Sequence, residues 1–478
     1  MTRFNIHIHT HKRLLPFYLL VSALIVASVN FFFFWDKDII HSYHAFWYLE
    51  HGFSILQPPY MDSGHPPVMG LLLGFLWKIF GVNLAAGHLA MIPFGLLLVW
   101  QLYRFTAFFI DPSSVHRALW LVIIDTSILT QLVILTGDLL TLVFFFWAIN
   151  GILYNKRLSL LLTLVFLAVS SSRGMISCVI VGVFDIYLII RKKDRVLKEI
   201  ISIIPFYLPA FIVSVSYLVY HYYKTGWIGY DPEASNWAGL FEPVDLKGAV
   251  RNLLIIGWRL VDFGRLFLWL AGGYLFILLI KRKIRFDDKM GMLAALFIIS
   301  LILCSPVMVI YKGLQSHRYL LPVFAIFATL IAYILFEKLS HRKLRRTIYI
   351  LLLAGLLSGN FWVYPDHIAK GWDATLAHIP YYTLRRDMLR YIDEKGIPYE
   401  KIGSEVPNAG KRKYIDLTDD ERSFTKKNLE VCDYIFYSNI YNMFSDDFLY
   451  ELKHEWEIVR EYRLLQVRVT LYKNPRAD

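Results

Sequence analysis

The 478 residues are 56% hydrophobic and only 18% charged, below the roughly 25% charged of soluble domains, and the mean hydropathy is +0.47. The formal net charge of +12 is not a nucleic-acid footprint, because the basic residues cluster in short loops between apolar runs, as on the cytoplasmic side of membrane proteins. Three widely separated cysteines, Cys178, Cys304 and Cys432, exclude a disulfide framework and a zinc spacing.

The first apolar run, 14–35, is longer than the core of a signal peptide and has no small-residue cleavage site, so it reads as a retained helix. It ends in Asp36-Lys37-Asp38. Carboxylates at the end of a membrane helix are costly unless they work or are well solvated. Further along, Gly64-His65-Pro66-Pro67 forms a rigid corner, since proline fixes its own backbone and holds the preceding residue extended. Residues 67–80 then make an apolar helix too short to span comfortably, suited to lying at the interface. Further spans are expected near 84–110, 116–135, 138–154, 158–171, 173–190, 200–222, 259–280, 290–311, 318–337 and 346–364, about eleven in all. The period-2 alternation of a membrane barrel is absent, so the class is all-α and polytopic. The break at Ser170-Ser171-Ser172-Arg173-Gly174 reads as a re-entrant corner.

Charge sets the expected orientation. Lys156-Arg157, Arg191-Lys192-Lys193, Lys281-Arg282-Lys283 and the cluster from Lys338 to Arg346 fall on one side, with Arg3, Lys12 and Arg13, and mark the cytoplasm. The loop 36–66, the turn at Gly137-Asp138, the long loop 222–258 and the segment from Lys312 to Arg318 then share the opposite side. The membrane domain is expected over 1–364 and a C-terminal domain over 365–478, on that same non-cytoplasmic side. The second domain reads as small α/β. A helix over Thr383–Glu394 has Leu384, Met388, Leu389 and Ile392 on one face, Asp433–Tyr437 is a strand, and Asp446–His454 is a helix. Leu464–Tyr472 is a final strand with an apolar face at Leu465, Val467, Val469 and Leu471. It carries no phosphate loop or nucleophile motif, and is expected not to be catalytic.

Four segments together carry a family resemblance over roughly 15–337. They are Asp36 and Asp38 followed by Ala45 and Gly52; Gly64-His65-Pro66-Pro67 before an apolar helix ending Ile79-Phe80-Gly81; Thr136-Gly137-Asp138; and Ser316-His317-Arg318-Tyr319-Leu320-Leu321-Pro322. In order and spacing the chain resembles the GT-C-fold membrane glycosyltransferases that use polyprenyl-phosphate sugars, near the protein O-mannosyltransferases and the lipid A aminoarabinose transferase. It departs from that branch where Lys37 splits the acidic pair and His65 replaces a common lysine.

The resemblance implies an inverting transfer of a sugar from a polyprenyl-phosphate carrier to a lipid, polysaccharide or protein acceptor. It implies a bacterial inner membrane and an active face that is periplasmic or extracellular; the absence of any Asn-x-Ser/Thr sequon agrees with a bacterial source. A carboxylate suits the base, because water exclusion raises its pKa toward the working range. Position and resemblance nominate Asp38, with Asp36 beside it, against plain helix-end solvation. Asp138 is a second acid that orients the acceptor or helps hold a metal, or else an N-terminal cap; a divalent metal requirement stays open. Arg318 suits the carrier phosphate through its planar fork, with Lys312, His317 and Tyr319 beside it and Arg173 as a further phosphate candidate; His65 is a ligand of the donor phosphate or of a metal, or else part of a structural turn. The alternative for Arg318 is an interfacial anchor. In the loop 222–258, Trp227, Tyr230, Asp231, Glu233, Asn236 and Trp237 suit a sugar or acceptor, although Trp and Tyr also enrich at interfaces without a catalytic reason. A transporter or flippase for lipid-linked sugars would show midplane charges and a repeat, and neither is visible. An O-antigen-type ligase would lack the early acidic pair, and a non-catalytic scaffold would tolerate alanine there.

Overall fold

The structure is a computed structural model that describes residues 2–53, 56–58, 61–192, 195–229, 238–281, 283–284, 286–366, 368, 371–441 and 443–476; for 2–11 and 36–38 it describes the backbone path alone. Five described helices are long and apolar enough to cross a membrane: Leu84–Phe109, Ser172–Lys192, Val196–Thr225, Asp288–Ile310 and His317–Lys338. Leu246–Val261 and Leu266–Lys281 form a further, broken span bent by 85°. Shorter apolar helices, Val68–Phe80, Asp138–Leu153 and Arg157–Ser170, fill positions between them. The chain therefore reads as an integral membrane protein with a small sheet domain at its C-terminal end.

Three expected elements differ. The first helix, Thr2–Ala27, stops short of the predicted 35. Phe31–Phe34 are apolar for another reason: they leave the helix and dock on the C-terminal domain. Phe31 stacks on Tyr382 at 3.9 Å, Phe34 on His378 at 4.4 Å, and Phe33 N–H donates to the Ile415 carbonyl at 3.1 Å. The predicted span 116–135 is two helices, Val115–Ile123 and Thr126–Val133, because Asp125 caps the second by accepting from the Ser127 and Ile128 N–H groups. The predicted span 259–280 is broken after Val261. Gly264 turns the chain there with φ +83°, so close to Gly355 that a Cβ would meet its carbonyl oxygen at 2.2 Å; only glycine fits such an approach.

The acidic segment does not simply terminate the first helix. Asp36 opens a second helix, Asp36–His51, and the side chains of Asp36, Lys37 and Asp38 lie outside the described residues. This helix packs against Val68–Phe80 at backbone range. A Cβ on Gly70 would meet His44 at 2.4 Å and one on Gly74 the Ala45 carbonyl at 3.2 Å. Small residues four apart allow such close helix crossings, which gives Ala45 and Gly74 a packing role. Gly52 takes the left-handed turn that ends the helix, with φ +78°.

In the C-terminal domain the helix Pro380–Glu394 buries Leu384, Met388, Leu389 and Ile392, as its periodicity predicts. It lies on a mixed sheet of β1 (Ile402–Ser404), β2 (Thr425–Lys426), β3 (Tyr434–Ser438), β4 (Glu457–Leu464) and β5 (Val467–Lys473), in the order β2-β1-β3-β5-β4. β1 runs parallel to β2 and β3, and β5 antiparallel to β3 and β4, with Tyr437 opposite Thr470. Val467, Val469 and Leu471 are buried as expected, but Leu465 is exposed because it sits in the β4–β5 turn at φ +52°. One apolar core runs without interruption from the helices into this domain.

Candidate functional site

The segments of the resemblance converge on one cavity of about 850 Å³ between the helix ends and the C-terminal domain. Its wall takes Trp35, His41 and His44 around the start of Asp36–His51, the corner His65-Pro66-Pro67, the start of Asp138–Leu153, the break at Ser171, and the segment 311–322. His65, Asp138, Arg173, Lys312, His317, Arg318 and Tyr319 all line it, although they are spread over more than 250 positions of sequence.

Asp138 and Arg173 form the closest charged pair of the wall. Asp138 is the first residue of its helix, and its Oδ1 lies 2.6 Å from Arg173 Nη2. Arg173 comes from the break between Arg157–Ser170 and Ser172–Lys192 and stands 4.6 Å above the Tyr319 ring. Its buried Nη1 meets no hydrogen-bond partner among the described residues. The wall thus holds a partly buried guanidinium whose Nη1 is unpaired among the described residues, a suitable host for an oxyanion. His65 is tied to the same break, with its Nδ1 2.8 Å from Ser172 Oγ.

Arg318 is only 9% exposed and has Asp373 as a carboxylate partner, Nη1 to Oδ2 3.7 Å. His317 beside it is fully buried and turns away from this pair: its Nε2 meets Asp262 Oδ2 at 2.8 Å, and Asp262 also takes Arg259 at 3.5 Å and the Tyr364 hydroxyl. His317 thus holds the broken span against the cavity wall. Lys312 sits at the rim, more than half exposed, bonded to Glu242 at 3.0 Å.

Trp227 is half-buried behind the Gly64 corner, 4.5 Å edge-on from His221, while Ile228 and Gly229 face the cavity. Gly64 comes so close that a Cβ would meet the Gly229 carbonyl at 2.3 Å. Tyr230, Asp231, Glu233, Asn236 and Trp237 lie outside the described residues, as do the side chains of Asp36 and Asp38.

Sequence reasoning missed four polar groupings. Asp62 Oδ2 meets buried His221 Nε2 at 2.9 Å, and its Oδ1 accepts from Gly64 N–H at 2.8 Å, which pins the corner that carries His65. Asp262 with His317 and Asp125 with Arg265 at 2.6 Å hold the two broken segments. Asp373 comes from the linker after the last helix. The available signal was an acid or arginine inside an apolar run, at 125, 262 and 265. His44, on the cavity side of its helix, is buried; burial pushes its imidazole down to about 4 against the pull of the Met61 carbonyl and Asp62, so it is neutral at pH 7. Among the described residues no group of three His, Cys, Asp or Glu side chains is arranged to hold a metal ion, and no step below runs through one.

A membrane bundle of broken and short helices, closed on one side by a small sheet domain around such a cavity, is the GT-C fold. The structure of ArnT from Cupriavidus metallidurans bound to undecaprenyl phosphate matches over 96% of this chain and 97% of that one, with a TM-score of 0.52 and 12% identity. Its apo structure matches over 97% and 98%, also at 0.52 and 12%. An oligosaccharyltransferase from Archaeoglobus fulgidus, in complex with zinc and sulfate, is a weaker likeness at 0.47 and 17%, over 72% of this chain and 53% of that one. No family model and no curated protein sequence matches the chain.

Proposed function

We propose that this protein is a membrane glycosyltransferase that moves a sugar from a polyprenyl-phosphate carrier to a lipid, glycan or protein hydroxyl, with inversion, at the non-cytoplasmic face. The observation that carries this reading is the convergence of Asp138, Arg173, His65 and Arg318 on one cavity between the helix ends, in a chain with the fold of an enzyme solved with undecaprenyl phosphate bound. A carboxylate of the Asp36–Asp38 segment takes the proton of the acceptor hydroxyl. The oxygen attacks the anomeric carbon from the face opposite the phosphate, and the bond from that carbon to the phosphate oxygen breaks. Charge builds on the leaving phosphate, where Arg318 and Arg173 stabilise it, and such interactions accelerate transfer because they strengthen in the transition state. Asp138 holds Arg173 in place.

The test uses purified full-length protein with polyprenyl-phosphate mannose and polyprenyl-phosphate aminoarabinose in parallel. Asp38→Ala is expected to abolish transfer at matched folded protein, with Asp36→Ala run beside it to decide which acid is the base. Undiminished turnover in both variants overturns the base assignment. Sidedness is read separately: a cysteine introduced near 420 should react with an impermeant reagent from outside and one near 286 should not, and the reverse pattern inverts the topology.

A further inference from the structure

The linker after the last helix enters the bundle. Trp372, Asp373, Ala374 and Thr375 are all buried, although composition assigns them to the start of the soluble domain. Their backbone is held by the broken segment 115–133: Gln131 Nε2 donates to the Asp373 carbonyl at 3.0 Å and Ser127 Oγ to the Ala374 carbonyl at 3.3 Å. Ser127 also accepts from Arg265 at 2.6 Å, the arginine that closes on Asp125. On the other side Gly371 lies against His317, where a Cβ would come within 2.8 Å of the ring, and its φ of +62° also favours glycine.

This seating brings the Asp373 side chain, 5% exposed, into the cavity wall. Its Oδ2 accepts from Ser316 Oγ at 3.0 Å and lies 3.7 Å from Arg318 Nη1. The second distance exceeds the roughly 2.7–2.9 Å of a charge-assisted bond, whereas Arg173 and Asp138 meet at 2.6 Å. Asp373 therefore offsets part of the Arg318 charge at a range longer than a closed ion pair. A buried guanidinium without an anion is costly, and a carboxylate at this range lowers that cost.

We propose that Asp373 is a built-in counter-charge of Arg318, and that it weakens the hold of this arginine on a phosphate so that the released carrier phosphate departs. The proposal rests on the functional reading above, in which Arg318 meets that phosphate. It makes Asp373 a residue that acts through Arg318 and sets the affinity of the site. Through the linker, it also ties this setting to the seating of the C-terminal domain.

The test is a double-mutant cycle on the full-length protein in detergent, with undecaprenyl phosphate as the probe. Asp373→Asn keeps the shape and removes the charge. It should bind the probe about tenfold more tightly than the wild type, on the scale of couplings between contacting charges. Arg318→Ala should bind more weakly, and the double variant no more tightly than Arg318→Ala. A purely structural role predicts weaker binding in Asp373→Asn, and that outcome, or an equal tightening in both backgrounds, overturns the proposal. Inorganic phosphate is the second probe: tightening toward both assigns the effect to phosphate charge, and tightening toward the lipid alone overturns the charge account. Asp373→Ser carries the same neutralisation if the Asn variant does not fold. A wild type that does not bind undecaprenyl phosphate defeats the carrier reading, while the Arg318–Asp373 coupling is still decided by inorganic phosphate.

Discussion

The helical bundle and the C-terminal domain use the same ion pairs to different ends. Within the bundle several of the described pairs are deeply buried, Asp125 with Arg265 and Asp262 with Arg259, and buried Asp138 meets a partly exposed Arg173. Each sits where a helix starts, breaks or ends, and Asp125 and Asp262 also accept from backbone N–H groups there. In the C-terminal domain the pairs are numerous and largely wet, such as Arg422 with Asp393 and Lys411 with Glu421. One exception is Arg385, buried against Asp416 at 2.6 Å with Phe32 lying 4.2 Å under its guanidinium; it marks the seam between the two regions. A buried ion pair in the bundle reports a site or a joint, whereas a charge on the sheet domain mostly reports solvent.

The sharpest way to break this contrast is Arg265→Ala. It leaves Asp125 buried without its charge partner and should destabilise the protein by about 3–5 kcal/mol, read as a fall in unfolding temperature in detergent. A shift no larger than that of a surface pair would erase the distinction. Arg318→Ala is next: loss of a charge-assisted hydrogen bond costs about 1.5–3 kcal/mol, roughly ten- to over a hundred-fold in carrier-phosphate affinity. Arg318→Lys keeps the charge but not the fork and should recover part of it. Equal affinity in all three proteins would make Arg318 an interfacial anchor.

A smaller effect is expected from pH. Burial pushes His44 and His378 down from about 6.5 to about 4. A depressed histidine contributes stability that is fully present above the unfolded value and is lost as pH falls. The unfolding temperature should therefore decline between about pH 6.5 and 4, and His378→Gln should flatten part of that decline. A flat profile across this window would remove both groups from the account. The smallest effect belongs to Asp393→Ala, where the pair with Arg422 is 41% and 49% exposed on its two sides. It should change stability by about 0–1 kcal/mol and leave turnover unaltered. A single exposed substitution there that stops transfer without unfolding the domain would contradict the assignment of chemistry to the bundle.

The sequence made the helical class, the domain order and about half of the C-terminal elements legible, because each rests on a local period, whereas β1, β2, β4 and the helix Arg412–Asp416 had no expected counterpart. The helix Pro380–Glu394, the strand Tyr434–Ser438 and the helix Asp446–Glu455 lie within a few residues of their expected positions. Local period fails where an apolar residue serves a distant partner. Phe31–Phe34 extend the first hydrophobic run, yet they pack on Tyr382 and His378. The short strands β1 and β2 carry too few residues to show an alternation. For the cavity, motif order grouped His65, Asp138 and Arg318, each at a helix start or a corner, while Arg173 stood apart as a candidate from the break at 170–174. Asp62 and Asp373 carried no such mark. Their roles depend on His221 and Arg318, which are 159 and 55 positions away in the chain, and no single-sequence pattern encodes those meetings.

The docking of Phe31–Phe34 has a consequence for biogenesis. Ser42 Oγ donates to the Tyr414 carbonyl across 372 positions at 2.6 Å, and Phe33 reaches Ile415. At ribosomal rates of about 5–20 residues per second, the early aromatic row waits tens of seconds for the surface that covers it. Until then the first helix is threaded but its exit is bare, and the helix Asp36–His51 that follows lacks the surface on which Ser42 and the neighbouring Phe33 rest. A nascent chain stopped before residue 380 has every described membrane helix but not the domain that covers this row and closes the cavity. Completion of the last domain is thus the step at which insertion becomes assembly.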